Sequence, residues 1–444
     1  MSSILTNNSA MVALQTLKTI NNDLSATQSQ ISTGKSIASA KDNASVWAIS
    51  KVMESDVKGF QGISDSLALG QSSVAVAANA AETVTDLLTD IKGKIVAAQE
   101  SNVDREKIQT DIEALTNQIK SVTNAAQFNG LNLVKGTEDV NILSSLDRAS
   151  DGTVTASDIT VARQDLSTDA GEYGGGDSLT SNASVSSATV SDDANYQDIT
   201  LTHDGAGTYN FTVNGDQISV AAGLDLAGST DNVVAAINAL GLDGVSASNE
   251  SNVVRISSTR AFETVDITAS ASGGSAAVSS ATATIAQRAE TATFSASASV
   301  NDGDSYRVTY DGDNYEYIAG KGETMEDIAR GLKTAIDASG NSDLATRVTQ
   351  NSTSGAWELH VDNSNTTDVT DFTIAGAAGG EASGGLFGLD SLNVTTNAGA
   401  DSALSNIETL INSSINAAAE FGSVQGRMET QSNFISNLTD ALKS

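Results

Sequence analysis

The side chains able to do chemistry in this sequence are few, and their spacing assembles no catalytic set. Cysteine is absent, which removes thiol nucleophiles, thiolate metal ligands and disulfides together. The two histidines, His203 and His360, precede Asp-Gly and Val-Asp. Neither has a second histidine four residues on, so the His-Glu-x-x-His helix of a zinc protease is excluded. Two acid-rich loops, Asn301-Asp-Gly-Asp304 and Asp311-Gly-Asp-Asn314, hint at calcium. They lack the spacing and terminal glutamate of an EF-hand and read better as solvated hairpin turns. Asn7-Asn-Ser9 fits a glycosylation acceptor only by coincidence. With no convergent titratable cluster, the expectation is no enzyme, no cofactor and no metal.

Charge narrows the partners. The chain carries 55 acidic and 23 basic residues, a net charge of −32. Such a surface is repelled by phosphate backbones and by anionic lipid, so neither nucleic acid nor membrane is an expected partner. No run approaches 18 apolar residues, so no membrane span is expected. The start, Met1-Ser-Ser-Ile-Leu-Thr-Asn-Asn-Ser, lacks the basic and apolar regions of a secretory signal. The Ser/Thr/Ala/Asn/Asp/Gly-rich, lysine-poor composition nevertheless suits an exported surface protein. Export without a cleaved signal would reconcile the two.

The length, 444 residues, suits two to four domains, and the absence of proline permits long helices. Alternating steps of three and four from Val46 visit Ile49, Met53, Asp56, Phe60, Ile63, Leu67, Gly70, Val74, Ala77, Ala81, Val84, Leu88, Ile91, Ile95 and Ala98. Only Asp56 and Gly70 break an apolar a/d seam that would be roughly 80 Å long as a helix. Gly59, Gly62 and Gly70 are expected weak points. A shorter seam, Ile108 to Val122, ends at the turn Gln127-Phe-Asn-Gly130. Towards the C-terminus the d series Ile407, Ser414, Phe421, Met428, Ile435, Leu442 is largely apolar, and the a series, read as Leu404, Ile411, Ala418, Gln425, Ser432, Thr439, turns polar. That stripe must be buried, most economically against the N-terminal helices. Residues 1–40 form a weaker amphipathic segment through Leu17, Ile20, Leu24 and Ile31, stopped at Gly34.

Between about 135 and 400 the period changes to short β-type runs. An internal repeat is visible: Tyr209 to Ile218, with a turn at Asn214-Gly215, and Tyr306 to Tyr315, with a turn at Asp311-Gly312, each followed by a helix (Asp231 to Leu240; Met325 to Asp337) and two strands. The expected fold is α+β: an antiparallel helical coiled-coil rod from both chain ends, with two inserted tandem ββαββ modules projecting from one end.

These ends resemble bacterial flagellins. The resemblance rests on Ile4-Leu-Thr-Asn-Asn-Ser-Ala-Met-Val-Ala-Leu14, Gln30-Ile-Ser-Thr-Gly-Lys-Ser-Ile-Ala-Ser-Ala-Lys-Asp-Asn-Ala44, Trp47-Ala-Ile-Ser50, Gln127-Phe-Asn-Gly130 and Phe421-Gly-Ser-Val-Gln-Gly-Arg-Met428. It covers about 1–135 and 403–444. It implies a subunit of the flagellar filament, exported unfolded through a type III channel to an extracellular flagellum, with self, an export chaperone, the filament cap and hook-junction proteins as partners. The implied domains are 1–40 (N-terminal half of an inner polymerisation domain), 41–190 (helices and β region of the rod), 191–287 and 288–400 (outer modules) and 401–444 (C-terminal rod helix). The seam residues Leu17, Ile20, Leu24, Ile31, Ile49, Met53, Phe60, Ile63, Leu67, Val84, Leu88, Ile91, Ile95, Ile407, Ile411, Phe421, Met428 and Ile435 are the expected polymerisation set.

Two departures from the family carry expectations. Flagellins continue past the region of Leu442 into a helix that pairs with residues 1–40, whereas this chain stops at Ser444. The seam of residues 1–40 is then without its intramolecular partner, and native filaments are not expected from the chain unaided. In Leu88-Thr-Asp-Ile-Lys-Gly-Lys-Ile95, flagellins that stimulate the flagellin-sensing Toll-like receptor align an arginine with Asp90 and a glutamate with Gly93. With Asp90, Lys92 and Gly93 here, weak receptor binding is expected. The alternatives are a hook–filament junction protein with similar ends and a surface adhesin carrying β modules on a helical stalk.

Overall fold

The computed structural model describes residues 8–149, 153–203, 205–279, 282–341 and 343–443. Ile4 to Asn7, part of the N-terminal motif and of the glycosylation acceptor, lie outside the described residues. The fold is α+β, with helices at both chain ends and antiparallel sheets between. The chain divides into two compact units, residues 1–75, 139–161 and 422–444 in one, and 76–138 and 162–421 in the other.

In the first unit, α1 (Asn8–Thr33) ends where Gly34 takes φ +65°, the left-handed stop read from the sequence. The next helix, α2 (Ala44–Ala98), is capped by Asn43, whose side chain accepts the Val46 N–H at 3.2 Å. Asp42 ties the preceding turn by accepting from the Ala38 and Ser39 amides at 3.2 and 2.9 Å. The helix runs unbroken through all three suspected weak points. Two of those glycines are contact sites. A Cβ on Gly59 would stand 3.0 Å from Leu146, and one on Gly70 would stand 2.6 Å from Ile142 and 2.8 Å from Met428. Leu146 and Ile142 belong to a hairpin that lies along α2, and Met428 to the C-terminal helix. Asp56, the other break in the seam, pairs with Arg148 of the same hairpin at 2.5 Å. Both irregularities of the heptad are therefore seats for a strand.

The second unit continues α2 and adds α3 (Arg105–Ala125), capped by Asp104. Arg105 donates to the Ala98 carbonyl at 2.6 Å, placing a cation on the C-terminal end of α2. The turn at Asn129-Gly130 (φ 51° and 81°) joins β1 (Gln127–Phe128) to β2 (Leu131–Asn132). The first unit's hairpin is β3 (Val140–Arg148) with β4 (Val154–Val161), and β5 (Ala183–Val185) follows in the second.

The repeated middle is richer than two strands either side of a helix. Its first copy comprises β6 (Asn195–Thr202), β7 (Thr208–Val213), β8 (Asp216–Ala221), α4 (Leu226–Ala239), β9 (Val245–Asn249), β10 (Val253–Ser258) and β11 (Val265–Ser272), with short β12 (Ala277–Val278) and β13 (Thr282–Ile285). The second comprises β14 (Glu290–Phe294), β15 (Ser305–Tyr310), β16 (Asp313–Ile318), α5 (Met325–Asp337), β17 (Leu344–Gln350), β18 (Trp357–Asn363) and β19 (Thr373–Ala377). Sheet orders β6-β10-β9 and β11-β7-β8 recur as β14-β18-β17 and β19-β15-β16. The repeat is thus a βββαβββ unit split over two sheets, each copy having one more strand before the hairpin and one more directly after the helix than the expected ββαββ. Ala183–Val185, read with the rod region 41–190, pair instead with Ala292–Phe294 of the second copy. The cores are separate: Tyr209, Phe211, Val254 and Ile267 in one copy, Phe294, Tyr306, Ile328 and Phe372 in the other.

The last helix, α6 (Asn397–Lys443), runs antiparallel to α2 in the second unit. Thr85 meets Ser414 at 2.9 Å, Lys92 meets Glu408 at 2.5 Å and Gln99 meets Asp401 at 3.2 Å. Ser414, polar at a d position and fully buried, donates to the Ala81 carbonyl at 3.1 Å, so its hydroxyl is satisfied in the seam. The buried residues between the d positions are Ala403, Leu410, Ala417 and Val424. The a series read as Leu404, Ile411, Ala418 and Gln425 is one residue late. Corrected, the a positions stay apolar as far as Val424.

Candidate functional site: apolar helix faces

The expected polymerisation residues fall into two physical classes. Phe60, Ile63, Leu67, Val84, Leu88, Ile91 and Ile95 on α2 are buried within the chain, as are Ile407, Phe421, Met428 and Ile435 on α6. Met53 and Ile411 are half-buried. The buried side chains pack inside their own units and are not free to meet another subunit.

The second class is open. Leu17, Ile20, Leu24 and Ile31 are 59%, 60%, 54% and 78% exposed, and α1 buries no residue along its length. Their spacing places them on one helix face. Met11, Val12 and Leu14 are exposed on the same helix, and Val46, Ile49 and Val52 at the start of α2. Polar residues of α1 reinforce the apolar character. Thr16, Thr19, Thr27 and Thr33 each donate their hydroxyl to the carbonyl four residues back at 2.7–3.0 Å. Burying each large side chain is worth about 1.5–3 kcal/mol. Most of an amphipathic helix's stability comes from packing its apolar face, so a packing partner is the larger stabilising effect.

Some exposed apolar residues escaped the heptad reading. Leu69, Val96, Ile415 and Phe434 are each one residue from a buried seam position and face outwards. The signal that finds them is an apolar residue off the seam, which the intramolecular core does not need.

The residues that could have done chemistry are engaged structurally. His203 Nδ1 lies 2.9 Å from the buried Ser229 hydroxyl, which also donates to the Asp225 carbonyl. His360 is held by Gln287, Thr291 and Thr349 at 2.8–3.0 Å, and burial lowers its pKa. In the acid loops, Asp304 accepts the Asn301 N–H at 2.8 Å, and Asp371 accepts the Asp311 and Gly312 amides. Trp47 is half-buried. Asp90 and Gly93 are exposed, while Lys92 pairs with Glu408. No described helix is long and apolar enough to cross a membrane.

One titratable group stands apart. Burial pushes the Glu323 carboxyl up to about 7, with Asp327 and Asp302 adding repulsion. Hydrogen bonds from the Gly320 amide (3.0 Å) and the Tyr317 hydroxyl (2.9 Å) oppose the shift. A carboxyl raised in the folded state binds its proton more tightly there than in the unfolded chain. Its contribution is therefore full below its ordinary pKa and is lost as pH rises through about 7. Glu323→Gln is expected to stabilise the protein by about 1–3 kcal/mol at pH 8 and by nothing near pH 4. Thermal unfolding at both pH values measures this; an equal effect at the two would contradict it.

Residues 4–139 match the family described as bacterial flagellin N-terminal helical region. Flagellin C of Rhizobium meliloti (strain 1021) is 41% identical over 164 residues, 35% of this chain and 50% of that protein. Flagellin of Brucella melitensis is 41% identical over 167 residues, 37% of this chain and 59% of that protein. The chain thus spans about half the length of the curated relatives it matches. Flagellar hook associated protein-3 of Legionella pneumophila is similar with a TM-score of 0.33 at 10% identity, over 88% of this chain and 96% of that one.

Proposed function

We propose that this chain is a structural subunit of a bacterial flagellar filament, polymerising through its terminal helices, and not an enzyme. The observation that carries the reading is α1, a helix whose apolar face is exposed along its whole described length. In a subunit that works alone such a face is a liability; in a polymer it is the interface. On this reading residues 1–40 and the exposed start of α2 are the polymerisation surface, and the buried seams of α2 and α6 preserve its geometry. The copies at 191–287 and 288–400 are outer modules. The protein acts outside the cell, in the flagellum, after export without a cleaved signal peptide. Its partners are further copies of itself, with an export chaperone, the filament cap and hook-junction proteins at the stages before and during assembly.

The test is incorporation. Filaments are not expected from the purified chain alone, but supplied with short filament fragments as seeds it is expected to add to them, scored by sedimentation and electron microscopy. Leu17→Asp with Leu24→Asp should abolish addition while leaving the circular dichroism of the rest intact. Undiminished addition by the double variant would overturn the reading.

We further infer weak engagement of the flagellin-sensing Toll-like receptor. Asp90 is exposed and acidic where an arginine's forked donors are needed, and Gly93 supplies no carboxylate. In a reporter-cell assay the chain is expected to fall at least ~10-fold short of an agonist flagellin, the value of one lost charged contact. Asp90→Arg with Gly93→Glu should recover part of the loss, and full potency of the parent chain would refute the inference.

A further inference from the structure

A cavity of about 580 Å³ lies wholly within the second unit. Segments far apart in sequence line it: the loop after β4, the loop between β16 and α5, one side of α5, the loop after β19 and the middle of α6. The volume is that of a small-ligand site.

Its charges can be accounted for one by one, Lys321 of the lining being engaged as well. Arg330 is paired with Glu326 at 2.9 Å, and Glu408 with Lys92 at 2.5 Å. Asp327 caps α5 by accepting from Thr324 at 2.8 Å. Asp165 accepts the Ser167 amide at 2.8 Å, and Glu323 is occupied by Tyr317 and Gly320. Arg163 is the exception. Its Nε is buried without a hydrogen-bond partner, and its guanidinium rests against Gly136, where a Cβ would come within 3.1 Å of Nη1. In a chain with more than twice as many acids as bases, a partly buried guanidinium without a carboxylate partner among the described residues is unusual. Its planar fork is the shape that takes a carboxylate through two parallel hydrogen bonds.

The rest of the lining suits hydroxyl groups. Gln164, Asn412 and Asn416 offer amide donors and acceptors, and Ser413 a hydroxyl. Phe387 and Tyr317, with ring centroids 5.9 Å apart, add apolar surface. Asp165 beside Arg163 disfavours a dianion such as a phosphate monoester.

We propose that this cavity binds a sugar acid, a hydroxylated monocarboxylate of one or two rings, with its carboxylate on Arg163. The site is independent of the filament reading, and its failure would leave that reading untouched.

The experiment is calorimetric titration of the full chain with D-glucuronate, methyl glucoside, glucose 6-phosphate and acetate. Glucuronate is expected to bind at least ~10-fold more tightly than the other three. Arg163→Gln should weaken glucuronate by ~10-fold or more without moving the melting temperature by more than a degree or two, and Arg163→Lys should fall between. If Arg163→Gln does not fold, Asn416→Leu on the exposed side of α6 provides the second arm, with a loss expected for glucuronate and none for acetate. No saturable glucuronate signal, equal binding of methyl glucoside or glucose 6-phosphate, or glucuronate binding unchanged in both variants would each overturn the proposal.

Discussion

Replacing Gly331 by alanine is expected to destabilise the second unit by about 1–3 kcal/mol, against the direction that helix propensity alone gives. Gly331 sits in the middle of α5, where alanine would ordinarily gain about 1 kcal/mol over glycine. A Cβ there would stand 2.3 Å from Cγ and Cδ2 of the Tyr317 ring and 2.5 Å from Cε2. The obstacle is a planar ring and not the end of a flexible chain, so it cannot fold aside. Nor can it withdraw freely, because its hydroxyl donates to both oxygens of Glu323 and its other side meets Phe387. Overpacking therefore outweighs propensity. Thermal unfolding followed in the near ultraviolet reads the result through the tyrosines of this core. A higher melting temperature for Gly331→Ala would mean that Tyr317 does not pack on the helix as described.

The same residue shows where sequence reading runs out. The helix α5 spans Met325–Asp337 as read, and the structure adds a capping box of Thr324 and Asp327 that fixes its start. Gly331 in its interior could only be scored as a weak helix former, since Tyr317 reaches it from another strand. Gly70 repeats the lesson: a suspected break is a seat for Ile142 and Met428. The α2 seam was legible from Phe60 to Ala98 because burial follows one long apolar period. On α6 the adjacent pair Leu410-Ile411 offers two phases, and only packing against α2 selects the earlier. Strands β9 and β17 gave no signal because each is an edge strand with no buried residue, so the alternation that reveals a half-buried strand is missing. The start of α4 was placed late because Leu226-Ala-Gly-Ser-Thr230 reads as a turn until Asp225 is seen capping it at 2.7 Å. The open face of α1 was visible as a pattern, but whether the chain itself covers such a face is a tertiary fact. The Arg163 cavity had no sequence signature, being assembled from separate segments.

Asp337→Ala is expected to cost about 3–5 kcal/mol, the value of leaving one partner of a buried ion pair uncompensated. Lys333 and Asp337 face each other one turn apart on α5 at 2.5 Å, with side chains only 6% and 9% exposed. The pair is not closed on itself. Asn406 of α6 accepts from Lys333 Nζ at 3.0 Å and donates to Asp337 at 3.2 Å, and the Thr346 hydroxyl of β17 donates to the other carboxylate oxygen. One cluster therefore joins the second copy's helix to the C-terminal helix and to an edge strand. Removing the carboxylate leaves a buried ammonium with the neutral Asn406 oxygen as its remaining described side-chain acceptor. Removing every charge is a different experiment. Lys333→Met, Asp337→Leu and Asn406→Leu together should lie within about 1–2 kcal/mol of the parent, because well-packed apolar replacements regain the desolvation cost of a buried pair. Denaturant unfolding of the single, double and triple variants separates the two contributions, and their non-additivity measures the coupling. If Asp337→Ala shifted stability by less than about 1 kcal/mol, the pair would be no more than a surface contact. If the triple variant fell as far as the single one, the cluster would be supplying net stability. The expected outcome, a severe single and a mild triple, would assign it a different role: the unpaired alternative is so costly that α5 and α6 are held in one register.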